Sequence, residues 1–310
     1  MSTCKTTMMY NTLVTALSDD KFRGIRVKIS NAVQENSKAL FIVGGIMHSN
    51  FQKQLIEGII KKTKDRHEQK KIVAKLPEHD LIAVIPPLKK KLLQKVVPDI
   101  KDIKHIVNTF DDDKTYTLSP QSLVELTKNS LKRVLEEYPS VSIVCHSFSG
   151  LIVPHAIMKL ATENANIKNI KKITLVGPYI FDPRNDFEKI ENKNGLRKIQ
   201  KKLADFYYNV ESDFAKSTLD LMHEIFVLEE AKKTNMSKTL LNLIISRGDE
   251  YINIDNKWFV FELLGRKLNM REVRFYFPEI RRNNTGKKVH HSYADLILGN
   301  REYLSKILIK

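Results

Sequence analysis

Two patterns of hydrophobic and polar positions alternate along this chain, and they indicate alternating strands and helices. Short apolar runs that end at Gly, Pro or another turn residue are typical of buried strands. Segments with apolar residues every three or four positions are typical of helices with one buried face. The pattern predicts strands over residues 39–43, 81–85, 141–145, 173–176, 240–245 and 273–277.

Two of the predicted helices carry clear signals. Phe51, Leu55 and Ile59 recur at helical spacing after the first of these strands. A second helix is predicted to begin at Ser119, the N-cap, with Pro120 in the first helical position, where its missing N–H costs nothing. It is predicted to end just before Pro139, so that the next strand follows at once.

Short strands that are apolar throughout, with amphipathic helices between them, are what a parallel sheet covered on both faces requires. The predicted fold class is therefore α/β, with a doubly wound, mostly parallel sheet. The sequence has no internal repeat and no long low-complexity linker. Residues 1–310 are accordingly predicted to form a single domain.

One stretch interrupts the alternation, and its pattern is helical throughout. Between the strand at 173–176 and the strand at 240–245, apolar residues recur only at helical spacing, and no strand is predicted among them. We therefore predict a helical insertion over residues 183–238. Its apolar positions are Leu196, Ile199, Leu203, Phe206, Val210, Leu219, Met222 and Phe226.

Composition adds an expectation about the compartment. The chain has 310 residues, of which 42% are hydrophobic and 28% charged, and Cys4 and Cys145 are its only cysteines. A single possible bridge is no disulfide framework. Residues 1–20 lack the apolar core of a signal peptide, and no apolar stretch approaches the length of a spanning helix. We expect a cytoplasmic protein without a signal peptide or transmembrane segment.

The net charge of +16 raises the question of a polyanionic partner. The lysines are spread over the whole chain, and the run at 89–91 has no interleaved aromatic residues, so a solvated loop or helix face is predicted there. A nucleic-acid partner is therefore not expected.

Residues 141–150 carry the most informative motif, an apolar run that ends in His146-Ser147-Phe148. Small residues, Cys145 and Ser149, lie two positions to either side of Ser147. This resembles the nucleophile elbow of the α/β-hydrolase superfamily, a strained strand-to-helix turn on which a serine hydroxyl is exposed at the end of a sheet. In that family a helical cap commonly enters after the sixth strand, where the helical insertion is predicted here.

The resemblance also implies partners for the serine, in the chain order Ser, acid, His. The strand at 240–245 leads into a turn with Asp249, which matches the acid loop of the family. The histidine of the family follows the last strand, where the sequence has His290 and His291. His291 fits better because a Ser follows it, but the choice between the two neighbours stays open.

The oxyanion hole of the family is built from two backbone N–H groups. By correspondence, one is the N–H of Phe148, directly after the nucleophile. The other is the N–H of Ile46, because Gly44-Gly45-Ile46 follows the first long parallel strand, where the family often has His-Gly and then the donor.

Taken together, these residues lead us to expect a serine hydrolase that cleaves a carboxylic ester or thioester, and the expected partner is a small-molecule ester or a lipid. Two alternatives stay open: a catalytically silent binding protein with the same fold, and Cys145 as a thiol nucleophile. No cofactor is expected, and no metal site, because His290 and His291 are adjacent rather than at ligand spacing.

A membrane surface is a further candidate partner. Arg197, Lys198, Lys201 and Lys202 lie largely opposite the apolar side of the predicted helix. A basic amphipathic helix of this kind can lie on anionic lipid. The competing interpretation, which we favour, is that its apolar side packs over the active site and its lysines are solvated.

Overall fold

The structure is a computed structural model. It describes the following residues: 10–19, 21–31, 35–46, 51–64, 79–89, 92–93, 116–181, 186–227, 234, 236–246, 249, 257–278, 293–299, 302–303 and 306.

An eight-stranded sheet forms the centre of the molecule, in the order β1-β2-β4-β3-β6-β7-β9-β10. The β1 and β2 strands form an antiparallel hairpin, β2 runs antiparallel to β4, and the remaining neighbours are parallel. This confirms the predicted fold class. The strands are β1 Tyr10–Asp19, β2 Phe22–Asn31, β3 Lys38–Val43, β4 His79–Ile85, β6 Ser140–His146, β7 Ile170–Val176, β9 Leu240–Ile244 and β10 Glu272–Tyr276.

The register of the central strands brings their carboxyl ends to one edge. Val43 at the end of β3 pairs with Val84 of β4 on one side and with Cys145 of β6 on the other. Central strands are buried on both faces, as their continuous apolar sequences require. Ligand sites in open α/β sheets form at this edge, where the loops after the strands meet.

Helices cover the sheet, and none of those described is long and apolar enough to cross a membrane. The predicted start of one of them is confirmed: Ser119 caps it, with a reciprocal capping box to Ser122. The helices are α1 Phe51–Lys64, α2 Pro120–Glu137, α3 Ser149–Thr162, α4 Asp186–Phe206, α5 Phe214–Val227, α6 Lys257–Lys267 and α7 Ala294–Gly299.

The stretch between β7 and β9 contains α4 and α5, but it is not helical throughout. A two-residue strand, β8 Asn209–Val210, lies between the two helices and pairs in parallel with β5 Thr117–Leu118. The prediction that no strand lies in this stretch is therefore wrong. A strand this short has no period that could be recognised in sequence, and its pairing partner is far away in the chain.

The segment after β10 is anchored to the rest of the fold. Gly58 of α1 lets α7 come close, because a Cβ atom at this position would lie 2.3 Å from Leu298 Cδ1. Further along, Thr174 Oγ1 and Asn242 Nδ2 both donate hydrogen bonds to the carbonyl oxygen of Lys306, at 3.1 and 3.0 Å. Side chains of the neighbouring strands β7 and β9 thus bind the backbone at Lys306.

Candidate active site

Ser147 lies in a strained turn between β6 and α3. Its φ angle is 57°, a left-handed conformation that costs a side-chain-bearing residue of order 1 kcal/mol or more. Three backbone hydrogen bonds maintain it: the Ser147 N–H donates to Val176 O at 3.0 Å, and the Ser147 carbonyl accepts from the N–H groups of Gly150 and Tyr179, both at 2.9 Å. This is the geometry that the sequence predicted for a serine nucleophile.

Ser149, the small residue two positions after Ser147, lies between the turn and the neighbouring strand β3. The buried Ser149 hydroxyl accepts a hydrogen bond from the His146 N–H at 2.8 Å, and its single proton has two acceptors within reach, His146 O at 2.8 Å and Val43 O at 3.0 Å. The contact with Val43 O connects the nucleophile turn to the end of β3, where the predicted oxyanion loop begins. A serine in this position therefore adds a tie that a glycine would lack.

Cys145, on the other side of the nucleophile, is fully buried. Its thiol lies 3.8 Å from Thr174 O, and burial raises the pKa of the thiol far above its ordinary value. A thiol that stays protonated and has no access to solvent is a poor nucleophile. The alternative of a Cys145 nucleophile is therefore not supported.

Gly150 was not singled out from the sequence, yet it permits the closest approach in the turn. A Cβ atom on Gly150 would lie 2.5 Å from Pro178 Cβ. The loop after β7 therefore packs directly on the first turn of α3. The sequence around Gly150 does not indicate this contact, because Pro178 lies 28 residues further along the chain.

The side chain of His146, next to the nucleophile, is buried and packs against two aromatic rings. Its ring stacks on Phe51 with 4.7 Å between centroids, and it lies at 5.9 Å from the ring of Tyr293 in a tilted arrangement. The side chain thus joins the nucleophile turn to the first turn of α1 and to the segment just before α7.

The two predicted oxyanion donors both lie at the carboxyl edge of the sheet. Phe148 directly precedes α3, and Ile46 lies in the turn after β3; both side chains are buried. The first N–H groups of a helix have no partner within it and carry partial positive charge, which suits a developing oxyanion. The electrostatics at Phe148 therefore favour the predicted role.

Gly44 lies where the resemblance in sequence implies a histidine, and the structure shows why a side chain does not fit there. A Cβ atom on Gly44 would lie 1.6 Å from Gln52 Oε1, so the buried side chain of Gln52 occupies the space that a side chain at position 44 would need. Gln52 belongs to α1 and was not identified from the sequence. Its neighbour Phe51 was noticed only for its apolar character.

Asp249 lies just beyond β9 and is held by a tyrosine. The Tyr293 hydroxyl donates to Asp249 Oδ2 at 2.6 Å and accepts from the Ser246 N–H at 3.0 Å. Burial, and then the charge of Asp249, raise the pKa of Tyr293 far above its ordinary value, so the hydroxyl stays a donor. Tyr293 also contacts His146, and it therefore connects the predicted acid to the neighbour of the predicted nucleophile.

The predicted catalytic histidine, His291, and its alternative His290 lie outside the described residues. Within the described residues, no group of three or more His, Cys, Asp or Glu side chains is arranged to hold a metal ion.

A small apolar pocket opens beside both predicted oxyanion donors. Ile46 and Phe148 form one side of it, with the backbone of Gly44-Gly45. The α2 helix contributes Leu123, Leu126 and Thr127 to the lining, and α3 contributes Ile152.

No family model matches this sequence, and no curated protein matches it. Solved structures do. An esterase from Pyrobaculum calidifontis matches with 11% identity over 96% of this chain and 82% of the other, at a TM-score of 0.54. A thermostable esterase from Pseudomonas putida matches with 10% identity over 97% of this chain and 84% of the other, at a TM-score of 0.53. An esterase from Pyrococcus furiosus matches with 14% identity over 97% of this chain and 91% of the other, at a TM-score of 0.50. The chain therefore has the α/β-hydrolase fold.

Proposed function

We propose that this protein is a serine hydrolase that cleaves a carboxylic ester or thioester through an acyl-enzyme intermediate. Ser147 is the nucleophile and His291 the general base. Asp249 orients the imidazole, and the N–H groups of Ile46 and Phe148 bind the oxyanion. The observation that carries the proposal is the Ser147 turn, because a strained backbone of this kind persists only where the surrounding structure enforces it.

The proposed reaction has two steps. Ser147 Oγ attacks the acyl carbon while His291 takes the hydroxyl proton, and the carbonyl oxygen becomes an oxyanion between the two N–H groups. The bond to the leaving alcohol or thiol breaks, and His291 gives that group the proton. Water then repeats the sequence, attacking the acyl-enzyme with His291 as base, and releases the acid and free Ser147.

Chain connectivity supports His291 as the base. Tyr293 contacts both Asp249 and the neighbour of Ser147. Residue 291 precedes Tyr293 by two positions, and two residues of chain span at most about 7 Å. This spacing is compatible with His291 as the base, and the choice of His291 over His290 rests on the resemblance in sequence.

The apolar pocket supports an acyl substrate. It lies beside both proposed oxyanion donors, where the acyl chain of a bound ester would begin, and its lining from Leu123 and Ile152 suits a hydrocarbon group. Because the pocket is small, a short acyl chain fits it better than a long one. A lipid-derived substrate would then be one with a short acyl group.

Labelling with a fluorophosphonate tests the proposal. The wild-type protein should be labelled at one residue, Ser147, and Ser147→Ala should abolish labelling while the protein stays folded. Ser142→Ala is the matched control, since Ser142 is a fully buried serine on β6, the strand that leads into the Ser147 turn. If the folded wild type is not labelled, or if Ser147→Ala is still labelled, the enzyme proposal is wrong. The first result would favour the silent binding protein.

A further inference from the structure

The carboxyl end of α4 is attached to the catalytic edge of the sheet. The Lys89 N–H, in the loop after β4, donates to Phe206 O at 2.9 Å, and the Lys89 ammonium donates to Ala204 O at 2.6 Å. Lys89 therefore satisfies two of the carbonyl groups that a helix leaves open at its end. The run at 89–91 was predicted to be solvated, but Lys89 is half-buried and makes these contacts.

Tyr207, the next residue after α4, extends this attachment to the proposed oxyanion hole. Its side chain is 1% exposed, and its hydroxyl donates to the carbonyl oxygen of Ile46 at 2.9 Å. Burial, and then the nearby Tyr116, raise the pKa of Tyr207 far above its ordinary value. The hydroxyl is therefore a permanent donor to the loop that carries the second proposed oxyanion N–H.

The loop needs such a contact because of its sequence. Gly44 and Gly45 precede Ile46, and glycine restricts the backbone less than any other residue. The Ser149 hydroxyl lies 3.0 Å from Val43 O, where the loop begins, and Tyr207 binds the loop at Ile46 O. Without the second contact, the direction of the Ile46 N–H would depend on two residues that have no side chains to fix them.

We propose that Tyr207 is a positioning residue for the oxyanion hole, through which the helical insertion holds the Ile46 N–H in its catalytic orientation. The proposal rests on the function proposed above for Ile46. Removing an oxyanion donor outright lowers kcat by about a hundredfold to a thousandfold. Loosening a donor that is still present should cost less, about tenfold.

The test compares Tyr207→Phe with Tyr116→Phe. The first change keeps the ring and removes only the hydrogen bond to Ile46. The second removes a tyrosine hydroxyl that binds Ser122 Oγ at 2.6 Å, near Tyr207 but away from the oxyanion loop. With p-nitrophenyl butyrate, Tyr207→Phe should lower kcat about tenfold and leave KM within twofold, whereas Tyr116→Phe should change neither. A Tyr207→Phe enzyme with kcat within twofold of wild type, or an equal loss in both variants, would overturn the proposal.

Amide hydrogen exchange provides a readout that does not depend on turnover. In a Ser147→Ala background, Tyr207→Phe should speed exchange of the Ile46 amide about tenfold, while Tyr116→Phe should not. Unchanged exchange at Ile46 would overturn the positioning role even if kcat falls. If the wild type neither hydrolyses esters nor reacts with a fluorophosphonate, the proposed function fails, and the exchange result still decides whether Tyr207 holds the loop.

Discussion

The Tyr293 hydroxyl donates a 2.6 Å hydrogen bond to Asp249 Oδ2 and links two segments that lie 44 residues apart in the chain. Because the same hydroxyl accepts from the Ser246 N–H, it ties the carboxylate to the end of β9. The proposed acid is therefore held by a residue from the segment that supplies the proposed base.

Tyr293→Phe should impair catalysis and stability together. The change leaves the buried Ser246 N–H without its acceptor and removes a partner of Asp249, which should cost about 1–3 kcal/mol in free energy of unfolding. We expect kcat to fall about tenfold with KM little changed, because the acid would be less well oriented. Tyr303→Phe is the control. Tyr303 lies after α7, and its ring makes an edge contact with Tyr276 of β10. Equal loss of activity in both variants would contradict the role of Tyr293.

The choice between the neighbouring histidines can be decided by substitution. His291→Ala should lower turnover at least about a hundredfold, the scale of lost general acid–base catalysis, and His290→Ala should be much milder. Asp249→Asn should also be severe. Two other acids that follow strands in the sequence, Glu250 next to Asp249 and Asp182 after β7, are controls, and Glu250→Gln and Asp182→Asn should be tolerated. Steady-state kinetics on a p-nitrophenyl ester measures all five. If His290→Ala or Asp182→Asn is the more damaging, the assignment at that position is wrong.

The apolar pocket should set the acyl-chain length. Leu123→Ala enlarges it and should shift the preferred p-nitrophenyl ester from acetate or butyrate towards hexanoate or octanoate, seen as a change in the ratio of kcat/KM values. Leu131→Ala is the matched control: it is the same change on the same helix, at a fully buried residue away from the pocket. Both variants should lose about 2–5 kcal/mol of stability, but only the first should change the ratio. An unchanged ratio in Leu123→Ala would show that the acyl chain lies elsewhere.

A buried histidine between α3 and α5 should make stability depend on pH. His155 Nε2 donates to Leu221 O at 2.8 Å, and Nδ1 lies 3.6 Å from Glu224 Oε2. Burial lowers the pKa of His155 from 6.5 to about 4; the bond to Leu221 opposes this shift, and Lys159 adds to it. In the unfolded chain the His155 imidazole therefore binds a proton below about pH 6.5, whereas in the folded protein it does so only below about pH 4.

Stability should accordingly fall as the pH is lowered from about 6.5 to about 4, by roughly 3 kcal/mol from this group. Urea unfolding across that range measures the slope. His155→Gln, whose amide can still donate to Leu221 O, should flatten it. Equal slopes in wild type and His155→Gln would contradict the prediction.

Local pattern was sufficient for the parallel part of the sheet, because strands buried on both faces are apolar throughout. The β1–β2 hairpin was not predicted. In β2, Ile25, Val27 and Ile29 are buried and alternate with charged or polar residues. That period of two is the signal of a strand with one buried face, and a search for continuous apolar runs passes over it.

The candidate site divides in the same way. Ser147, Phe148, Ile46 and Asp249 follow strands in the sequence, and the resemblance to the α/β-hydrolase superfamily selected them as candidates from those positions. The residues that hold them were not found, because each acts through a contact far away in sequence. The bond from Tyr207 to Ile46 spans 161 residues, and no pattern within either segment indicates it.

The basic side of α4 remains as the candidate lipid surface. The apolar side of α4 packs on the core, since Leu196 and Leu203 are fully buried. The basic side is exposed at all four positions: Arg197, Lys198, Lys201 and Lys202. An amphipathic helix that has already buried its apolar side has none to insert into a bilayer. We propose that attachment to anionic lipid, at about 1 kcal/mol per basic residue near the headgroups, is electrostatic alone.

Cosedimentation with phosphatidylserine vesicles tests this proposal. Binding should be present at low salt, weaken as salt screens the charges, and be lost when Lys198, Lys201 and Lys202 are changed to Glu. The control changes Lys168, Lys238 and Arg271 to Glu, since these exposed residues lie near the amino ends of β7, β9 and β10. Both variants alter the net charge equally, so an equal loss of binding would show that only total charge matters. Absence of wild-type binding at low salt would leave a soluble ester or thioester as the substrate, because the basic side of α4 would then face only water.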